Sequence, residues 1–198
     1  MSKTVDYYYT PASPWTYLGH QRFEEIARHN AATIQYKPVD YGKIFPLSGG
    51  LPLGKRAPQR QAYRLAELRR WRDYLGVPLT VQPKYHPVAS DLAAQLIIAA
   101  ERAGAPPGPL SFALMRACWS EDRNISDADT LAAIATEQGL GGAKLVATAR
   151  TPEIATIYEG FTREAIDRQV FGAPFFIYKD EPFWGQDRLD FLDRALAS

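Results

Sequence analysis

The residues with the clearest chemical potential lie near the start of the chain, in Thr10-Pro11-Ala12-Ser13-Pro14-Trp15-Thr16-Tyr17-Leu18. Ser13 followed by Pro14 reads as a helix start. A serine at the N-cap accepts a hydrogen bond from an otherwise unpaired N–H, and proline at the first helical position loses nothing by lacking its own. Free N–H groups and the positive end of the helix dipole converge there, so the place suits an anion. Ser13 either only caps this helix or also holds a reactive thiolate. A thiol titrates near ~8.5, and each unit of lowering needs ~1.4 kcal/mol. A hydrogen bond to a charged group contributes roughly 1.5–3 kcal/mol and a helix N-terminus ~0.3–2 kcal/mol. Together they lower a thiol by about two units, enough for substantial thiolate at neutral pH.

A second cluster is cationic. Lys55, Arg56 and Arg60 sit close together in the chain, and a carboxylate ligand needs such partners; a solvated basic helix start is the alternative. Other residues read as structural. Cys118 lies among Leu114, Met115 and Trp119 at helical spacing, as a core cysteine does. His20, His29 and His86 lack the spacing of a zinc site, and only His86, beside Lys84 and Tyr85, has a claim on a pocket. Arg64, Arg69, Arg70 and Arg72 read as the decoration of a helix surface, without the interleaved aromatic residues a nucleic-acid site needs.

The composition narrows the classes. A net charge of +1 gives no general pull toward nucleic acid or acidic membranes, and 46% hydrophobic residues suffice for a real core. One cysteine forms no internal disulfide. No apolar run approaches a membrane span, and the N-terminal stretch lacks a leader's apolar core, so a reduced cytoplasmic setting is expected.

The elements that would position Ser13 follow in order. Thr4 to Thr10 predicts a strand, Ser13 to about His29 a helix, and Thr33 to Val39 a second strand parallel to the first. Tyr41 to Pro58, rich in glycine and proline, predicts a long loop. Helices are expected over Gln59–Leu75, Ala89–Ala103, Leu110–Trp119 and Asp127–Gln138 (capped by Ser126), then Gly141–Ala149 and Pro152–Gln169. Gly172 to Tyr178 returns to strand chemistry, with Lys179-Asp180-Glu181 as a hairpin turn, Pro182-Phe183-Trp184 as its partner, and Leu189–Leu196 as a last helix. A single sheet assembled from both chain ends, interrupted by a helical block, fits this order.

That order resembles the α/β thioredoxin-like fold with a helical insertion, as in the DsbA-like group, and within it the branch of kappa-class glutathione transferases and 2-hydroxychromene-2-carboxylate isomerases. Ser13-Pro14-Trp15-Thr16-Tyr17-Leu18, Phe171-Gly172-Ala173-Pro174-Phe175-Phe176 and Phe183-Trp184-Gly185-Gln186-Asp187-Arg188-Leu189 carry the resemblance, with Trp119 to Asp127 a weaker fourth stretch. It implies a mixed sheet built from residues 1–40 and 170–198, whose last helical segment begins near 151, and an inserted connecting loop and helical domain over 41–169. Where redox relatives carry Cys-Pro-x-Cys this chain has Ser13-Pro14-Trp15-Thr16, which leaves no dithiol to exchange disulfides.

The resemblance further implies bound glutathione, whose sulfur is the nucleophile beside Ser13. Ala173-Pro174 matches the cis-proline position, where backbone pairs with the cysteinyl segment like an added strand. Gln186 and Asp187 open a helix whose N–H groups receive the γ-glutamyl carboxylate while Asp187 faces the ammonium. Arg60, with Lys55 second, matches the basic ligand for a carboxylate. Departures are Ala173 for valine, Gln186 for serine and Leu51 for asparagine. The implied activity is cis–trans isomerisation of an aromatic 2-oxo acid in aromatic compound degradation, by a dimer, with Trp15, Tyr17, Phe45 and Trp184 as candidate walls for the flat substrate. The alternatives are a kappa-like transferase or peroxidase and a non-catalytic thioredoxin-like binding module.

Overall fold

The structure, a computed structural model, describes residues 3–198; Met1 and Ser2, where the expected leaderless stretch begins, lie outside the described residues. Strand β1 (Thr4–Tyr9) runs through the middle of a four-stranded sheet of order β2-β1-β3-β4, with β2 (Thr33–Pro38), β3 (Phe175–Tyr178) and β4 (Glu181–Trp184). β2 pairs parallel to β1 from Thr4 opposite Thr33 to Tyr9 opposite Pro38, and helix α1 (Pro14–His29) makes the crossover. β3 pairs antiparallel to β1, Tyr7 facing Phe176, and β4 antiparallel to β3. This is the mixed thioredoxin-like sheet expected from the order of elements.

Alternation along the central strands sorts the core into two faces. Tyr7, Tyr9, Phe176 and Tyr178 join Phe23 of α1 and Leu192 of the last helix, α9 (Leu189–Ala197), while Tyr8, Phe175 and Ile177 face Val39, Tyr41, Ile44 and Ala165. Every residue of β3 is buried because both faces are covered. The first face is continuous with a helical block of α3 (Pro58–Leu75), α4 (Asp91–Arg102), α5 (Pro107–Trp119), α6 (Ala128–Glu137) and α7 (Gly142–Ala149). In that block α4 buries residues on nearly all sides. α8 (Pro152–Asp167) spans both: Ile154 and Tyr158 pack with the block, Ala165 with the sheet. Glu164 of α8 accepts from Tyr8 Oη at 2.7 Å and pairs with Lys37 Nζ at 2.6 Å, fixing α8 across β1 and β2.

Two expectations are corrected. The first half of the predicted 41–58 loop is a helix, α2 (Tyr41–Ser48), and Leu53–Lys55 is a 3-10 turn. Tertiary contacts override the glycines and Pro46 that suggested a loop. Asp40 caps α2 by accepting from the Gly42 N–H at 2.7 Å, Ile44 is buried on the sheet, and Tyr41 Oη donates to Gly172 O at 2.7 Å. Gly49 then ends the helix at φ +74°, a left-handed conformation that glycine adopts without strain. The cap of α6 is Asp127, which accepts from the Thr130 N–H at 2.8 Å; Ser126 instead bonds Asn124.

Candidate functional site

Ser13 occupies the N-cap of α1 with extended backbone (φ −86°, ψ 124°), and Pro14 is the first helical residue. Its N–H donates to Thr10 O at 3.1 Å, which turns the chain sharply out of β1. Ser13 Oγ accepts from the Thr16 N–H at 3.2 Å, so the cap exists as the sequence predicts. That bond uses a lone pair and leaves the hydroxyl hydrogen, which meets no acceptor among the described residues. Ser13 is 8% exposed, poorly hydrated yet not sealed off. Next to it, Thr16 is fully buried and, among the described residues, its Oγ1 has no partner.

Sheet register brings the other predicted residues to the same end. Tyr8 is opposite Phe175, and Phe175 is opposite Trp184. One residue further on, the end of β1, the Ala173–Pro174 peptide and Gly185 lie side by side. The Ala173–Pro174 bond is cis, and Pro174 O accepts from the Gly185 N–H at 2.9 Å. Ala173 itself precedes the ladder, and among the described residues its own N–H and C=O have no recorded partner, as required of a segment that receives an added strand. Gly185 has φ +100° and ψ 149°, a region almost restricted to glycine, and leads into the 3-10 turn Gln186–Arg188.

This turn is seated on α1. A Cβ on Gly19 would meet Gln186 Cβ at 2.6 Å, so glycine inside the helix is what lets the turn approach. Arg22 Nη2 donates to Gln186 O and locks the contact. Gln186 is 2% exposed and, among the described residues, its Oε1 has no partner, whereas Asp187 is exposed and 3.4 Å from Arg188 Nη2. Ser13, Ala173, Pro174, Gln186 and Asp187 therefore share one end of the sheet. Unmet polar atoms there (Thr16 Oγ1 and Gln186 Oε1) are compatible with a polar ligand.

Lys55 and Arg60 are not brought into hydrogen-bonding or ion-pairing contact with those residues; both are exposed, at the 3-10 turn and the first turn of α3. Sequence reasoning missed Arg64, placed with the surface arginines. It is half-buried, its guanidinium carbon lying 5.9 Å from the centre of the Trp119 ring. Burial, then the charge of Arg56, lowers its pKa to about 10. Arg60 and Arg64 lie four residues apart, the spacing of one helix face, and that was the available signal.

The candidate aromatic walls divide. Trp184 is 52% exposed and meets Phe171 edge-on at 4.8 Å, while Tyr17 is core, stacked on Phe112 at 5.8 Å and donating to Pro78 O at 2.9 Å. Cys118 is buried, and burial, then the charge of Asp122, pushes its thiol up to about 12, so it is no nucleophile near neutrality. His20 is fully buried in a hydrogen-bonded core position, 3.2 Å from Tyr7 Oη. Among the described residues no group of three metal-ligating side chains comes together, and no helix is long and apolar enough to cross a membrane.

His86 packs on Trp119, ring centres 4.6 Å apart, and burial, then the Arg64 charge, lowers its pKa to about 4. The unfolded chain takes up this proton near ~6.5. Stability from the neutral ring is therefore fully present above about pH 6.5 and is lost as pH falls toward 4. Urea unfolding midpoints at about pH 7 and about pH 5 should differ more for the native chain than for His86→Gln.

The family of DSBA-like thioredoxin domains matches residues 4–197. The 2-hydroxychromene-2-carboxylate isomerase of Sphingobium xenophagum is 29% identical over 197 residues, covering 99% of this chain and 99% of that protein. Glutathione S-transferase kappa 1 of Homo sapiens is 23% identical over 212 residues, covering 100% of this chain and 92% of that one. A solved 2-hydroxychromene-2-carboxylate isomerase superposes with a TM-score of 0.85 at 25% identity, over 98% of this chain and 94% of its own.

Proposed function

This chain belongs to the family of DSBA-like thioredoxin domains, and from that premise we propose that it is a glutathione-dependent isomerase interconverting 2-hydroxychromene-2-carboxylate and trans-o-hydroxybenzylidenepyruvate. The observation that carries the reading is the uncommitted Ser13 hydroxyl hydrogen at the start of α1, on the same end of the sheet as Ala173–Pro174 and the 185–188 turn. Similarity over nearly the full length of this chain to proteins named 2-hydroxychromene-2-carboxylate isomerase supports it.

Bound glutathione would supply a sulfur nucleophile for reversible addition to the conjugated double bond, which would free that bond to rotate. Ser13 Oγ donates to the thiolate while accepting from Thr16, and the α1 N-terminus adds its dipole. The Ala173 backbone N–H and C=O pair with the cysteinyl segment as an edge strand pairs with a peptide. The start of the 185–188 turn receives the γ-glutamyl carboxylate, and Asp187 the ammonium. The cations near the start of α3 hold the remaining carboxylates. No electrons are exchanged with the protein, consistent with Ser13 and Thr16 in place of redox cysteines. Cytoplasmic homodimers acting in aromatic compound breakdown belong to the same proposal.

The test follows chromene interconversion by absorbance with and without glutathione. Isomerisation that requires glutathione without consuming it is the expected result. Consumption of glutathione with chlorodinitrobenzene and no isomerisation would establish the transferase reading, which the kappa likeness favours. Absence of glutathione binding by calorimetry would leave a binding module.

A further inference from the structure

Around Trp119 meet two arginines, an indole N–H and the neutral His86 ring, and among the described residues no carboxylate pairs with either arginine. Trp119 is fully buried and, among the described residues, its indole N–H has no partner. Arg64 lies over the indole ring and, among the described residues, makes no hydrogen bond or ion pair. Glu67, one turn on from Arg64, pairs with Arg70 instead. Arg56 joins them half-buried, giving only its Nε, to Leu51 O at 2.8 Å. Burial and the nearby Arg60 charge lower the Arg56 pKa, so like charges crowd here without compensation. A half-buried arginine keeps its charge, and an unpaired charge in that setting is costly until an anion arrives.

Segments flanking this cluster are tied to the start of α1. Thr10 Oγ1 is 2.9 Å from Ser90 Oγ, which ties the segment carrying His86 to the turn before Ser13. Tyr17 of α1 bonds Pro78, just beyond α3.

We propose that Arg64, backed by Arg56 and seated on Trp119 beside His86, forms a carboxylate-binding subsite. Its planar fork matches a carboxylate bidentately, and the electron-rich indole face attracts the cation. The inference deepens the proposed function by naming the group that holds an acid end. It rests on that reading only for which carboxylate arrives, that of an aromatic 2-oxo acid or the glycine end of glutathione.

Calorimetry of the full chain tests it with three ligands: benzylidenepyruvate lacking the ortho hydroxyl, its methyl ester, and glutathione alone. Arg64→Gln should weaken the free acid by at least about tenfold and leave the ester unchanged if the oxo acid is the occupant. The same loss for glutathione instead assigns the subsite to its glycine carboxylate. Arg64→Lys, which keeps charge but loses the fork, should fall between, and Arg69→Gln, exposed on the same helix, should change nothing. Unchanged affinity for both acids in Arg64→Gln, with cooperative thermal unfolding retained, overturns the subsite, as does failure of the native chain to bind either acid. If the native chain ignores glutathione while its oxo-acid affinity still depends on Arg64, the subsite stands and the glutathione reading falls.

Discussion

Replacing Ser13 by alanine is expected to slow turnover by at least about tenfold, because one hydrogen bond to a charged sulfur contributes roughly 1.5–3 kcal/mol. Affinity for glutathione should fall less, since the Ala173 backbone and the 185–188 turn are untouched. Removing a donor to the thiolate raises the thiol's pKa, so the rising limb of the pH–rate profile should move upward by about one unit. The same substitution deletes the acceptor for the Thr16 N–H, and loss of a serine cap costs about 1 kcal/mol of stability. The two effects separate in experiment. A purely structural serine predicts the lower melting temperature alone, and unchanged turnover would rule Ser13 out as the thiolate's donor.

Gly185→Ala is expected to do damage of comparable size by a different route. Gly185 sits at φ +100° and ψ 149°, where a side chain costs about 1–3 kcal/mol. An added Cβ would also collide with Asp187 Oδ1. The Gly185 N–H bond to Pro174 O links the cis-proline segment to the turn, so relaxation of that strain displaces both proposed glutathione contacts together. We expect roughly tenfold weaker glutathione binding by calorimetry and a melting temperature lower by several degrees. Gly160→Ala is the contrast: this glycine lies within α8 with nothing within 4 Å of the added Cβ. There the substitution should stabilise by about 0.5–1 kcal/mol through helix propensity. Equal behaviour of the two variants would refute the conformational requirement at Gly185.

Local chemistry was legible where neighbours in sequence are neighbours in space. The Ser13 cap with Pro14 behind it depends on four consecutive residues, and α1 begins where they place it. The buried Cys118, the β1–α1–β2 crossover and the antiparallel hairpin of β3 and β4 were equally readable from spacing and turn residues. Composition misled in the 41–58 stretch, because the burial of Tyr41 and Ile44 against a sheet finished only by the C-terminal strands outweighs its glycines and Pro46. Ser126 lost the cap of α6 to its neighbour Asp127, a choice that one residue of register decides.

The amino-acid order by itself therefore determined most of the segments that fold as strands and helices, residues 41–48 excepted, that a serine opens α1, and that redox cysteines are absent there. Only the tertiary structure decided what meets that serine. Antiparallel pairing sets Tyr8 opposite Phe175 and so carries Ala173, Pro174 and Gly185 to the end of β1, while the missing side chain of Gly19 admits the Gln186 turn. Whether an arginine is surface decoration or an unpaired charge was also beyond the sequence. That depends on what the rest of the chain packs around it, and Arg64 is distinguished from Arg69 by Trp119, an indole contributed by a helix more than forty residues away.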